Sequence, residues 1–126
     1  MNLSQLLSDW LKIIETENPP PATITALYFG IMNTDKGYMV YLTGAEMYDP
    51  DDDDWAGETD YQPPRKIKYL LLPREVTAGL KWRGVLELVA SILTVITGEE
   101  PNRPLFNGRV LAAGFDDGDL TLVKQQ

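Results

Sequence analysis

Apolar residues at Leu3, Leu6, Leu7, Trp10, Leu11 and Ile14 follow the i, i+3, i+4, i+7 spacing that lines one face of a helix. They predict a helix over residues 3–16. Asn2 stands at the N-cap position, with Gln5 three residues on as the reciprocal partner of a capping box. Asn18 and Pro19-Pro20-Pro21 end the helix, because proline lacks a donor and turns its predecessor away from helical dihedrals. Residues 23–32 and 38–44 are rich in β-branched and aromatic residues and predict two strands. In the first, Ile24, Ala26, Tyr28 and Gly30 point one way and Leu27, Phe29 and Ile31 the other. Two apolar faces mark a central strand, and the turn formers from Asn33 to Gly37 predict a hairpin.

Residues 67–72 predict a third strand, stopped by Pro73. Trp82, Val85, Leu86, Val89, Ile92, Leu93 and Ile96 form the stripe of a second helix, over about 81–97, with Gly98 at the C′ position. Beyond Pro101 and Pro104, residues 108–114 and 119–123 predict a closing hairpin around Asp117-Gly118. The order α-β-β-β-α-β-β predicts an α+β fold: an antiparallel sheet of about five strands with two main helices packed on it. A length of 126 residues fits a single domain, 1–126.

Between the second and third strands the pattern breaks. From Glu46 to Asp60 the chain holds eight acids (Glu46, Asp49, Asp51, Asp52, Asp53, Asp54, Glu58, Asp60) and no Lys or Arg. The other eleven acids are balanced by eleven bases, so the whole net charge of −8 belongs to this stretch. Four consecutive aspartates resist burial, which predicts an exposed loop or ragged strand extension bounded by Pro63-Pro64. Tyr48, Trp55 and Tyr61 sit in the stretch or at its edge, and large amphipathic rings often anchor interfaces. Phe115-Asp116-Asp117-Gly118-Asp119 is a second acidic patch, which a tight hairpin turn would also explain.

The chain has no His and no Cys. This removes the commonest general base, the serine-triad base, thiolate metal sites and disulfides, so no catalytic residue or resident cofactor is assigned. Any acidic loop offers carboxylate pairs, but none here has a recognisable catalytic setting. Asp49, Asp51 and Asp53 have the 1, 3, 5 spacing of a calcium-binding EF-hand loop. The sixth position is then Asp54 instead of glycine and the twelfth Asp60 instead of glutamate, so no metal site is assigned. The negative charge disfavours direct nucleic-acid binding. No apolar run is long enough for a membrane helix, and the first residues lack a signal-peptide pattern, so a soluble cytoplasmic protein is expected.

Three readings of the acidic stretch stay open: a surface for a basic protein, a solvated loop that keeps the chain soluble, and a loop that folds back on Arg65, Lys66, Lys68, Arg74, Lys81 and Arg83.

The segments Leu27-Tyr28-Phe29-Gly30, Tyr38-Met39-Val40-Tyr41-Leu42-Thr43-Gly44, Asp51-Asp52-Asp53-Asp54-Trp55-Ala56 and Ala113-Gly114-Phe115-Asp116-Asp117-Gly118-Asp119-Leu120 resemble those of small acidic immunity proteins. Such proteins belong to bacterial polymorphic toxin and contact-dependent growth inhibition systems. The resemblance is to a general type and carries over no catalytic or binding residue. It implies a cytoplasmic, non-enzymatic inhibitor of one cognate toxin domain, often a nuclease with a basic cleft. The expected partner surface is then Tyr48, Asp49, Asp51, Asp52, Asp53, Asp54, Trp55, Glu58 and Asp60, with Asp116, Asp117 and Asp119. The alternative is a cation- or small-ligand-binding module built on Asp49, Asp51, Asp53 and Asp60.

Overall fold

The structure is a computed structural model that describes residues 2–115 and 120–125. Helix α1 spans Leu3–Glu17, and Asn2 caps it by accepting from the backbone N–H of Gln5 at 3.3 Å. The Gln5 side chain does not close the capping box; its amide donates forward to Asp9 at 2.8 Å. Strands β1 (Ala26–Thr34) and β2 (Gly37–Ala45) form the expected hairpin. Gly37 supplies the positive φ of 123° that an L side chain rarely adopts.

A single helical turn α2 (Arg65–Lys68), strand β3 (Tyr69–Leu71) and another turn α3 (Arg74–Thr77) come next. Helix α4 (Trp82–Glu99) and strands β4 (Val110–Phe115) and β5 (Thr121–Lys124) complete the chain. Ile67 and Lys68, expected in the third strand, belong instead to α2. Pro64 precedes the turn, and its carbonyl accepts from both Ile67 and Lys68. Gly98 lies inside α4 and not past its end. The helix continues to Glu99, with the Glu100 N–H donating to the Ile96 carbonyl.

The strands form one sheet in the order β3-β2-β1-β4-β5. Among the described residues the fold is α+β with five strands and two main helices, as the element order predicts, and β1 is central. One of the four pairings departs from the antiparallel pattern: β1 and β4 run parallel, Ala26 opposite Val110 through Ile31 opposite Phe115. The chain returns to β1 through α4, and a long helical crossover is what a parallel pairing requires.

Helices α1 and α4 cover one face of the sheet. Leu7, Leu11 and Ile14 meet Leu27, Phe29, Ile31, Val40, Leu42, Val89 and Leu93 in the main core. Ile24, assigned by alternation to the face of Ala26, is buried in this helix-side core; the chain there turns on the bond from the Ile24 N–H to the Pro21 carbonyl. Trp82 opens the stripe of α4 but is 45% exposed, its ring packed edge-on to Phe115.

Two buried arginines tie α1 and the segment after it to the loop that follows α4. Arg103 pairs with Glu15 on α1 at 2.8 Å and also donates to the hydroxyl and carbonyl of Ser8. Arg109 donates to five backbone carbonyls, those of Ile24, Pro104, Leu105, Pro20 and Pro21. It thereby joins the proline run after α1 to the loop after α4. Among the described residues no helix is long and apolar enough to cross a membrane.

Candidate functional site

The face of the sheet away from α1 and α4 presents Ala26, Tyr28, Gly30 and Met32 of β1, with Met39, Tyr41, Thr43 and Ala45 of β2 opposite them. Tyr69 and Leu71 of β3 and Val110, Ala112 and Gly114 of β4 continue it. None of these strand positions carries a charge. A one-sided antiparallel sheet normally alternates apolar-in with polar-out, so an uncharged outer face calls for a cover.

The acidic stretch supplies part of that cover. It leaves β2 at Ala45, crosses the helix-free face and returns to the sheet margin at Tyr61. There Gly44 and Tyr61 exchange two backbone hydrogen bonds of 2.8 and 3.1 Å. In the middle of this strap, Asp53–Gly57 forms a 3-10 turn that brings Trp55 down onto Ala26, Tyr28, Ala45, Val110 and Ala112. The Trp55 ring is only 7% exposed, and half-buried Tyr48 packs edge-on against it with ring centroids 5.3 Å apart. Tyr61 is buried too, and its hydroxyl donates to the Asn18 carbonyl at 2.7 Å. Burial pushes the Tyr61 phenol up to about 12, with nearby Arg109 acting in the opposite direction.

This placement changes the roles expected of the aromatics. Trp55 and Tyr61 face inward and pin the strap. Outward contact falls to the acids, and Glu46, Asp49, Asp51, Asp52, Asp53, Asp54, Glu58 and Asp60 are all exposed. Three of them organise the strap's own backbone. Asp49 accepts from the Asp51 N–H, Asp52 caps the 3-10 turn by accepting from the Asp54 N–H, and Asp60 accepts from the Glu46 N–H. These bonds, of 2.9 to 3.0 Å, give the segment a defined shape despite its charge.

The strap does not fold back onto the basic region. Among the described residues the ion pairs are those of Arg103 with Glu15 and Glu100, and neither involves the strap. Lys68 turns to the Gln62 amide oxygen at 2.7 Å and stands over the rings of Tyr69 and Tyr41, at 5.3 and 5.7 Å from their centroids. Arg74 donates to the Asp35 carbonyl. Among the described residues no group of three or more acids converges as a metal cluster. The second acidic patch, Asp116, Asp117 and Asp119, and the turn expected at Asp117-Gly118 lie outside the described residues.

Two shallow depressions flank the strap. One, of about 250 Å³, lies between Asp53 and Asp54 on one side and Tyr28 and Tyr41 on the other. The second, of about 120 Å³, lies between Asp49, Trp55 and Leu122. Neither is a deep pocket of the size a small-molecule substrate normally fills. The sheet contribution to this surface escaped the sequence reading. Tyr28 and Tyr41 looked like ordinary strand residues, and only the helix-free side of the sheet places them beside the aspartates. Comparison with protein-family models, curated proteins and solved structures finds no match for this chain.

Proposed function

We propose that this chain is a bacterial immunity protein, a non-enzymatic inhibitor that binds one cognate cationic toxin domain through the acidic strap. The observation that carries the reading is the strap itself: eight exposed acids, held in shape by backbone bonds and a buried tryptophan, and paired with no base among the described residues. A solubilising loop needs neither the pin nor the shape. Carboxylates at this density can occupy the positions that phosphates take in a nuclease cleft, and charge complementarity of this kind speeds encounter and selects partners. The inhibitor would work in the cytoplasm, where the incoming toxin meets its target.

The test is the neighbouring gene. The variable C-terminal domain of a large secreted protein encoded immediately upstream should bind this chain, and co-expression should relieve its toxicity. Asn at positions 51–54 should slow association about tenfold or more at low salt while leaving the fold intact. Unchanged kinetics would remove the strap from the interface, and a metabolic operon in place of the toxin gene would overturn the reading.

A further inference from the structure

Strand β3 ends the sheet, and its far side has no neighbouring strand. Leu72 lies opposite Tyr38 and donates to its carbonyl at 2.9 Å. Bonded and non-bonded pairs alternate along an antiparallel ladder. Leu70 therefore bonds toward Val40, whereas Leu71 turns its N–H and C=O, and Tyr69 its C=O, away from β2. These three groups make no hydrogen bond among the described residues. The side chains beside them are open as well: Tyr69 is 36% exposed and Leu71 43%. Tyr69 also ends a row of tyrosine rings that crosses the sheet from Tyr28 through Tyr41, with centroids 6.0 and 6.2 Å apart. A lysine beside an edge strand commonly guards it, but Lys68 is held by the Gln62 amide oxygen and over the Tyr69 ring.

The surroundings of this edge are basic. Between Asp60 and Glu75 the chain has Arg65, Lys66, Lys68 and Arg74 and no acid. None of these bases is in an ion pair among the described residues. At its Tyr69 end the edge meets a depression of about 600 Å³ lined by Gln62, Pro64, Arg65 and Lys68. An open edge supplies main-chain bonds for an added strand, and the side chains around it choose which strand. We propose that the edge of β3 receives an extended acidic segment of a partner protein, added antiparallel to β3. One residue of that segment exchanges two bonds with Leu71, and the residue two positions on donates to the Tyr69 carbonyl. Their side chains are apolar and share the face of Leu71 and Tyr69. The carboxylates that follow reach the depression and meet Arg65, with Lys66 and Lys68 nearby. The inference is independent of the function proposed above: it concerns a second surface, opposite in charge to the strap.

The probe is the blocked peptide Thr-Val-Thr-Val-Asp-Asp-Asp, offered to the full chain. Its controls are the same peptide ending in three lysines and the same peptide with both valines N-methylated. Calorimetry gives the affinities, and hydrogen exchange at the Leu71 amide reports the added strand. The acidic peptide should bind about fivefold or more tightly than either control, and at saturation it should slow Leu71 exchange about tenfold. Arg65→Gln, an exposed change, should weaken the acidic peptide about threefold and leave the lysine peptide no weaker. Equal affinity for the N-methylated peptide would mean that charge alone holds the probe and would overturn strand addition. Equal affinity for the lysine peptide would overturn the acidic occupant. Failure of all three to bind would overturn the site. So would protection of Leu71 that rises with protein concentration in the absence of peptide, which would put a second copy of the chain on the edge.

Discussion

The ring of Tyr41 lies over Gly30, its register partner on β1, so closely that a Cβ at position 30 would overlap Cζ, Cε1 and the hydroxyl oxygen. Glycine at this point lets the tyrosine row cross the sheet. Gly30→Ala should therefore destabilise the fold by about 1–3 kcal/mol, the usual cost of overpacking. Combining it with Tyr41→Ala should cost clearly less than the sum of the two single changes. Urea midpoints for the four proteins of the cycle measure the coupling; additivity would mean that the ring moves aside freely.

The strap should separate into a structural part and an outward part. Trp55→Ala removes the pin from its apolar seat and should cost about 2–4 kcal/mol. Replacing Asp51, Asp52, Asp53 and Asp54 together by Asn should change stability by less than about 1 kcal/mol, because Asn still caps at position 52 and like-charge repulsion falls. Thermal melts of the two variants give the comparison. A large loss in the Asn variant would mean that the carboxylates support the body of the protein.

Arg103 and Glu15 form the most enclosed ion pair among the described residues, and Glu15 also accepts from the Leu105 N–H at 3.1 Å. Removing one member leaves a buried charge without its counter-charge, so Glu15→Ala should cost about 3 kcal/mol. Denaturant unfolding checks it, with Glu99→Ala, an exposed change one turn from the loop, as the near-neutral control.

Tyr61 makes alkaline stability a local readout. Its phenol ionises near 10 when unfolded and near 12 when folded, so between those values the unfolded chain has given up a proton that the native state keeps. Stability from this group is complete below pH 10 and should fall by up to roughly 2–3 kcal/mol as pH rises toward 12. Lys124, held below its ordinary value by burial, acts in the opposite sense below about 10.5. The difference between the protein and Tyr61→Phe isolates the tyrosine. Parallel stability curves for the two from pH 9 to 12 would refute the assignment.

Both helices, the hairpin and the exposed acids were legible because each is written locally: a 3.6-residue stripe with an Asn cap, alternation around a turn ending in glycine, or a run of like charge. The parallel pairing of β1 with β4 was not, since it joins residues more than eighty positions apart and leaves no mark on either strand. The inward turn of Trp55 was hidden for a related reason. Its burial depends on the helix-free face below it, and that face exists only once β1, β2 and β4 have assembled. Arg103 and Arg109 gave no signal either; buried arginines were indistinguishable from surface ones until Glu15 and the proline carbonyls closed around them. Alternation misplaced Ile24 because it was extended two residues beyond the point where the strand begins.

The Gly44–Tyr61 bridge and the Trp55 pin fasten the strap to the sheet through main chain and an inward-facing ring, while the carboxylates of Asp49, Asp52 and Asp60 shape only the strap itself. Under the proposed function, recognition and folding are thereby spelled in different letters of the same short passage. A lineage can rewrite the first while inheriting the second unchanged, which is the freedom an inhibitor requires if its adversary keeps altering shape.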